Sequence, residues 1–64
     1  MIDSNLKNAQ NEFLKGNLNK AKKICLDIIL NEENSNALNL IGIIELTNKN
    51  YLKSINYLNK SLKI

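Results

Sequence analysis

The side chains that could carry chemistry are few. The chain has nine lysines, six acids and one cysteine, Cys25, but it has no histidine and no arginine. The acids show no spacing typical of a catalytic pair, and they are Asp3, Glu12, Asp27, Glu32, Glu33 and Glu45. A single cysteine without histidine cannot make an ordinary zinc site. We therefore predict no catalysis, no cofactor and no metal.

Cys25 lies on the apolar side of a predicted helix. A free cysteine in that setting behaves as a small buried hydrophobic residue. A reactive thiol would need an exposed and basic environment. We predict that Cys25 is a core residue.

The densest positive cluster is formed by Lys20, Lys22 and Lys23, in a chain with a formal net charge of +3. Nucleic-acid binding proteins usually present a broader basic face with arginines or stacking aromatic residues. The cluster therefore predicts a solvated helix face. Nucleic-acid binding through these three lysines remains an alternative.

Length and composition favour one small helical domain. The 64 residues include no proline, two glycines and three aromatic residues, which is typical of helices. A chain of this size buries only about 60% of the surface that its unfolded form exposes, so its stability is marginal. The first residues lack the basic and apolar segments of a signal peptide, and no apolar run is long enough to span a membrane. These features predict a cytoplasmic protein that does not associate with membranes.

Apolar residues recur at helical spacing and predict four helices, at about 3–15, 18–31, 36–48 and 51–63. Gly16 can end the first helix in the left-handed conformation. Asn17 is a candidate cap for the second helix, and Asn34 or Ser35 for the third. The third helix is apolar around nearly its whole circumference, which predicts that the other three surround it. In the fourth we expect an inward stripe of Tyr51, Ile55, Leu58 and Leu62.

The chain repeats itself at an interval of 33 residues. When residues 1–31 are aligned with 34–64, small residues match small ones and apolar residues match apolar ones. The aligned pairs include Glu12 with Glu45, Asn17 with Asn50, Ala9 with Gly42, Ala21 with Ser54, Cys25 with Leu58, and Ile29 with Leu62. A period of this length indicates a helical-hairpin repeat.

The second unit resembles a tetratricopeptide repeat, at the positions Leu38, Ile41, Gly42, Glu45, Tyr51, Ser54, Leu58 and Ser61. The first unit matches through Ala9, Gly16, Leu18, Ala21, Cys25 and Ile28. The resemblance implies two stacked antiparallel hairpins in one domain, 1–64, with repeat one at about 2–33 and repeat two at about 35–64. It places Ala9 opposite Ala21, and Gly42 opposite Ser54. Two repeats are fewer than the three or so that a stable stack usually needs.

The resemblance also implies a function, which is non-catalytic protein–protein interaction or scaffolding. The family binds a partner peptide or helix in a concave groove lined by the first helix of each hairpin. The corresponding residues here are Leu6, Gln10, Asn36, Asn39, Ile43 and Thr47.

A second possibility is a self-associating structural module. The apolar third and fourth helices carry more hydrophobic surface than their neighbours cover, and a large wet apolar surface destabilises a small domain. We expect a homo-oligomer or a docked partner at Ile43, Ile44, Leu58, Leu62 and Ile64.

Overall fold

The computed structural model describes the backbone of residues 2–63 and the side chains of residues 5–63. The described chain is all-α, and its four helices are α1 (Ile2–Leu14), α2 (Leu18–Asn31), α3 (Ser35–Thr47) and α4 (Tyr51–Lys63). The four predicted helices are therefore confirmed, with bounds that differ by about one residue. None of the described helices has the length and apolar character needed to cross a membrane.

The helices pack around α3. Contacts join α1 with α2, α3 with α4, α2 with α3, and α1 with α3, whereas α4 contacts only α3 among the described helices. The predicted contacts of α3 with the other three helices are confirmed, although Ile43 and Leu46 remain exposed. The radius of gyration is 10.6 Å, close to the value of about 11 Å expected for a compact chain of this length. The core consists of Leu6, Ala9, Ala21, Cys25, Ile28, Ala37, Leu40, Ile41 and Ile44.

The turn after α1 and the turn after α3 have the same hydrogen bonds. The Asn17 amide donates to the Glu12 carbonyl at 2.8 Å, and the Asn50 amide donates to the Glu45 carbonyl at 2.8 Å. Each turn also contains one residue with positive φ, which is Gly16 at 86° and Lys49 at 66°. The predicted left-handed conformation of Gly16 is confirmed. The 33-residue repeat therefore extends to the backbone geometry of the turns.

Two caps were predicted with different outcomes. The Asn34 side chain accepts a hydrogen bond from the Ala37 amide at 3.0 Å and caps α3 as expected. The Asn17 side chain makes no capping bond to α2. It donates instead to the Glu12 carboxylate at 2.7 Å, so the prediction of a side-chain cap there was wrong.

Small residues let α3 and α4 approach closely. The Ser54 hydroxyl on α4 donates to the Gly42 carbonyl on α3 at 2.8 Å. A Cβ atom at position 42 would lie 2.7 Å from Leu58 Cδ2, which is too close for an unshifted side chain. The predicted juxtaposition of Gly42 and Ser54 is confirmed. Ala9 and Ala21, the matching positions of the first unit, are fully buried.

The predicted inward stripe of α4 is wrong for three of its four residues. Tyr51, Ile55 and Leu62 are exposed, whereas Leu58 is half-buried. The inner face instead carries Ser54, Tyr57 and Ser61, and the Ser61 hydroxyl donates to the Ser35 carbonyl at 3.1 Å. Ser54 is small and bonds the Gly42 carbonyl, and Leu58 packs over the space that Gly42 leaves free, so α4 turns this side toward α3.

We predict that Gly42→Leu lowers the free energy of unfolding by about 1–3 kcal/mol, because the added side chain overlaps Leu58. Gly42→Ala should cost less, since alanine gains about 1 kcal/mol of helix propensity over glycine. Chemical denaturation of both variants measures the difference. A Gly42→Leu protein as stable as the wild type would contradict the close crossing.

The positive φ of Lys49 generates a second prediction. Glycine adopts this conformation without strain, so Lys49→Gly should be neutral or stabilise the protein by up to about 1 kcal/mol. The reverse control is Gly16→Ala, which introduces a side chain at φ 86° and should destabilise the protein. Thermal melts of both variants test the pair, and a clear loss of stability in Lys49→Gly would contradict the turn geometry.

Candidate interaction surfaces

The side chain of Glu45 is fully buried between the two helix pairs. Its Oε1 accepts a hydrogen bond from the Asn50 side chain at 2.8 Å, and its Oε2 lies 2.8 Å from the Lys22 ammonium. Oε2 accepts no well-directed hydrogen bond, so the ion pair alone compensates its burial. Because Lys22 belongs to α2 and Glu45 to α3, this contact joins the first helix pair to the second.

The surroundings of Glu45 favour its charged form. Burial by itself would raise the pKa of this carboxyl group. The Lys22 ammonium and the Asn50 side chain, together with the charge of Lys53, outweigh burial and lower the pKa. A carboxylate that loses these partners while it stays buried destabilises a protein strongly. Glu45 is therefore an internal structural charge and is not accessible to a ligand.

Glu12 repeats half of this arrangement on the surface. The Asn17 side chain donates a hydrogen bond to the Glu12 carboxylate, as the Asn50 side chain does to Glu45. This hydrogen bond is the main cause that lowers the pKa of Glu12. Lys20 and Lys15 contribute smaller attractions. No helix precedes α1 in the described chain to bury Glu12. The equivalence of the two glutamates supports their interpretation as a feature of the repeat.

The ion pair with Glu45 separates Lys22 from the other two lysines of the predicted cluster. Lys22 turns toward the buried Glu45, whereas Lys20 and Lys23 are exposed. Sequence reasoning did not anticipate the role of Lys22, although the isolated apolar setting of Glu45 in α3 was a signal that it needed a cation.

Cys25 lies fully inside the core, as predicted. Burial raises the pKa of its thiol to about 11, so the thiolate is scarce at neutral pH. Among the described residues, no three acidic, histidine or cysteine side chains are grouped so that they could hold a metal ion.

The predicted groove residues fall into two groups. Gln10, Asn36, Asn39, Ile43 and Thr47 are exposed on α1 and α3. Leu6 is buried in the core, so it offers no surface to a partner and its inclusion was wrong. Ile43 is the only apolar member of the exposed group, and none of its members is charged.

A different surface is apolar. We call it the end face and define it by Leu46 of α3 with Tyr51, Ile55, Leu58 and Leu62 of α4. Leu62 is 85% exposed, Tyr51 57%, Ile55 52% and Leu46 50%. The four α4 residues have helical spacings of 4, 3 and 4, which place them on one side of the helix. None of the five residues carries a charge at neutral pH.

The end face corresponds by the 33-residue repeat to an occupied face of the first helix pair. The equivalent residues there are Phe13, Leu18, Lys22, Cys25 and Ile29. Cys25 belongs to the core, Phe13, Leu18 and Ile29 pack against it, and Lys22 reaches Glu45 on α3. Through Lys22 the first pair uses this face to contact α3, whereas in the second pair Tyr51, Ile55 and Leu62 are exposed and only Leu58 is half-buried.

The residues predicted for self-association map unevenly onto the end face. Leu58 and Leu62 belong to it. Ile44 is fully buried between the helices, so its assignment to an exposed surface was wrong, because α3 is covered on that side by its neighbours. Ile64 lies outside the described residues. Ile43 is exposed on α3, in the set predicted for the groove.

Comparisons with protein-family profiles, with curated proteins and with solved structures found no match to this chain.

The Glu45 contact generates a prediction about pH. Because the pKa of Glu45 is lowered in the folded chain, its contribution is complete above the ordinary glutamate value of 4.5 and is lost as the pH falls through the lowered value. We expect Glu45→Gln to be less stable than the wild type by about 1–3 kcal/mol at pH 7. The difference should shrink on acidification, as measured by urea denaturation between pH 7 and pH 3.

The matched control is Glu12→Gln, which alters the half-buried counterpart and should change stability less. If Glu45→Gln and the wild type lost stability in parallel below pH 4.5, Glu45 would not be the buried carboxylate described here.

Proposed function

We propose that this chain is a non-catalytic protein-interaction module built as two stacked, tetratricopeptide-like helical hairpins. The helix order, the two equivalent turns and the small residues between α3 and α4 support this arrangement. Its binding surface is the end face. The single observation that carries the proposal is that the end face occupies the repeat positions of a face that is packed in the first helix pair, where Lys22 reaches Glu45 of α3.

The partner of this surface is a helical protein surface. The first pair accommodates a helix at the equivalent place, and the apolar side chains of α4 follow one another at the spacing that a neighbouring helix contacts. Ile55 occupies the position of Lys22. A partner helix therefore needs an apolar residue where α3 has Glu45, since a buried carboxylate next to Ile55 would lack a cation.

The concave groove is a weaker candidate. Its exposed residues are mostly carboxamides and it offers one apolar side chain, Ile43. Nucleic-acid binding by the lysine cluster is weaker still, because Lys22 is held by Glu45 and a compact basic patch is not formed.

A selection of displayed helical peptides against the purified chain tests the proposal. We expect selected peptides to perturb the backbone amide resonances of α4 and of Leu46. Their affinity should fall at least about tenfold in the double variant Ile55→Gln/Leu62→Gln, which removes apolar contact area.

The matched control is Leu30→Gln, because Leu30 on α2 is 83% exposed and lies outside the end face. Peptide affinity should be unchanged in this variant. Peptides that perturb Gln10, Asn36 and Asn39 and bind the double variant normally would contradict the end face and favour the groove.

A further inference from the structure

The end face is both apolar and uncharged, whereas the exposed groove residues are uncharged but mostly polar. The chain carries nine lysines, but none belongs to the end face. Two lysines of α4, Lys60 and Lys63, line a cleft of about 330 Å³ together with Glu32 and Glu33 at the connection between the helix pairs. Glu45, the only acidic residue of α3 and α4, is buried. An uncharged apolar surface can therefore meet an identical surface without electrostatic repulsion.

A second copy could in principle stack on the end face through its α1, as α3 stacks on the first helix pair. The residues of α1 are unsuited to that role. The positions equivalent to buried Leu38, Leu40, Ile41 and Ile44 of α3 are Asn5, Lys7, Asn8 and Asn11, and all four are exposed. These polar side chains would lose their water against the apolar end face, which is unfavourable without compensating hydrogen bonds.

Glu12 adds a specific obstacle to head-to-tail stacking. In the register of the internal contact, Glu12 of the second copy would lie opposite Ile55, just as Glu45 lies opposite Lys22. The carboxylate would then be buried without a cation, which is strongly destabilising. The side of α1 that carries Glu12 therefore does not complement the end face, and open-ended assembly of copies is disfavoured.

We infer that the end face of one copy is covered by the end face of a second copy, which gives a two-fold symmetric dimer. This inference rests on the proposed function and names the partner. A two-fold interface uses the same patch on both copies, and the end face is the apolar and uncharged patch that such an interface needs. In the dimer, α4 packs against α4 of the other copy, and Tyr51, Ile55 and Leu62 become buried.

The size of the patch predicts a weak dimer. A helix of 13 residues is about 20 Å long, and the end face follows one side of α4 with a single residue of α3 beside it. Such a face buries several hundred Å² on each copy, at the low end of specific interfaces. We therefore expect a weak dimer that forms only at high protein concentration.

Sedimentation equilibrium over about 10–1,000 µM tests the dimer. The wild type should shift from monomer to dimer, Ile55→Gln/Leu62→Gln should remain a monomer with an unchanged circular-dichroism spectrum, and Leu30→Gln should behave like the wild type. As a variant-independent readout, dilution of the wild type should shift the amide resonances of α4 and Leu46 and leave those of α1 in place.

Three results would overturn the inference. The first is a dimer that survives both end-face substitutions, and the second is growth beyond the dimer into longer assemblies. The third is a wild type that stays monomeric at the highest concentration. If that monomer still binds selected helical peptides through the end face, the proposed function stands and only the identity of the partner is wrong. If it binds none, the proposed function fails as well.

Discussion

The ion pair between Lys22 and Glu45 constrains how the two helix pairs meet. A fully buried carboxylate is tolerated only where partners surround it, and here those partners come from two directions. Lys22 reaches it from α2, and Asn50 reaches it from the turn before α4. The rotation of α2 against α3 and the path of the chain into α4 are therefore coupled through one side chain. A rotation of α2 that carried Lys22 away would leave Oε2 without a partner.

The two units share their backbone turns, but the exposed sides of their helices differ in polarity. The turns of the two units share their hydrogen bonds and their positive-φ residue, and Glu12 and Glu45 each bond the asparagine five positions later. The outward side of α1, however, is rich in asparagine, whereas the matching side of α3 is apolar. The same local geometry thus gives one end of the molecule a polar surface and the other an apolar one.

This asymmetry accounts for the candidate site. α2 contacts α1 and α3, and its positions equivalent to the end face, Leu18, Lys22, Cys25 and Ile29, are buried or half-buried. α4 contacts only α3 among the described helices, so the equivalent positions remain in water. Leu62, which is 85% exposed, is the clearest case, because its counterpart Ile29 packs against the core. The proposed binding at this surface rests on a contact that the first unit makes and the described second unit lacks.

The sequence alone predicted the number and limits of the helices, the burial of Cys25, the left-handed Gly16 and the close approach of Gly42 and Ser54. The first three features depend on local spacing and residue type, which are readable along the chain, whereas the approach of Gly42 and Ser54 was implied by the resemblance to the tetratricopeptide repeat. The inner face of α4 could not be predicted in this way, because its apolar residues and its serines both recur at helical spacing. The contacts of α4 with α3 decide that Ser54, which bonds Gly42, and Ser61, which bonds Ser35, turn inward while Ile55 and Leu62 remain outside. The pairing of Lys22 with Glu45 likewise needed the tertiary structure, since it joins residues of different helices whose relative rotation no local pattern specifies.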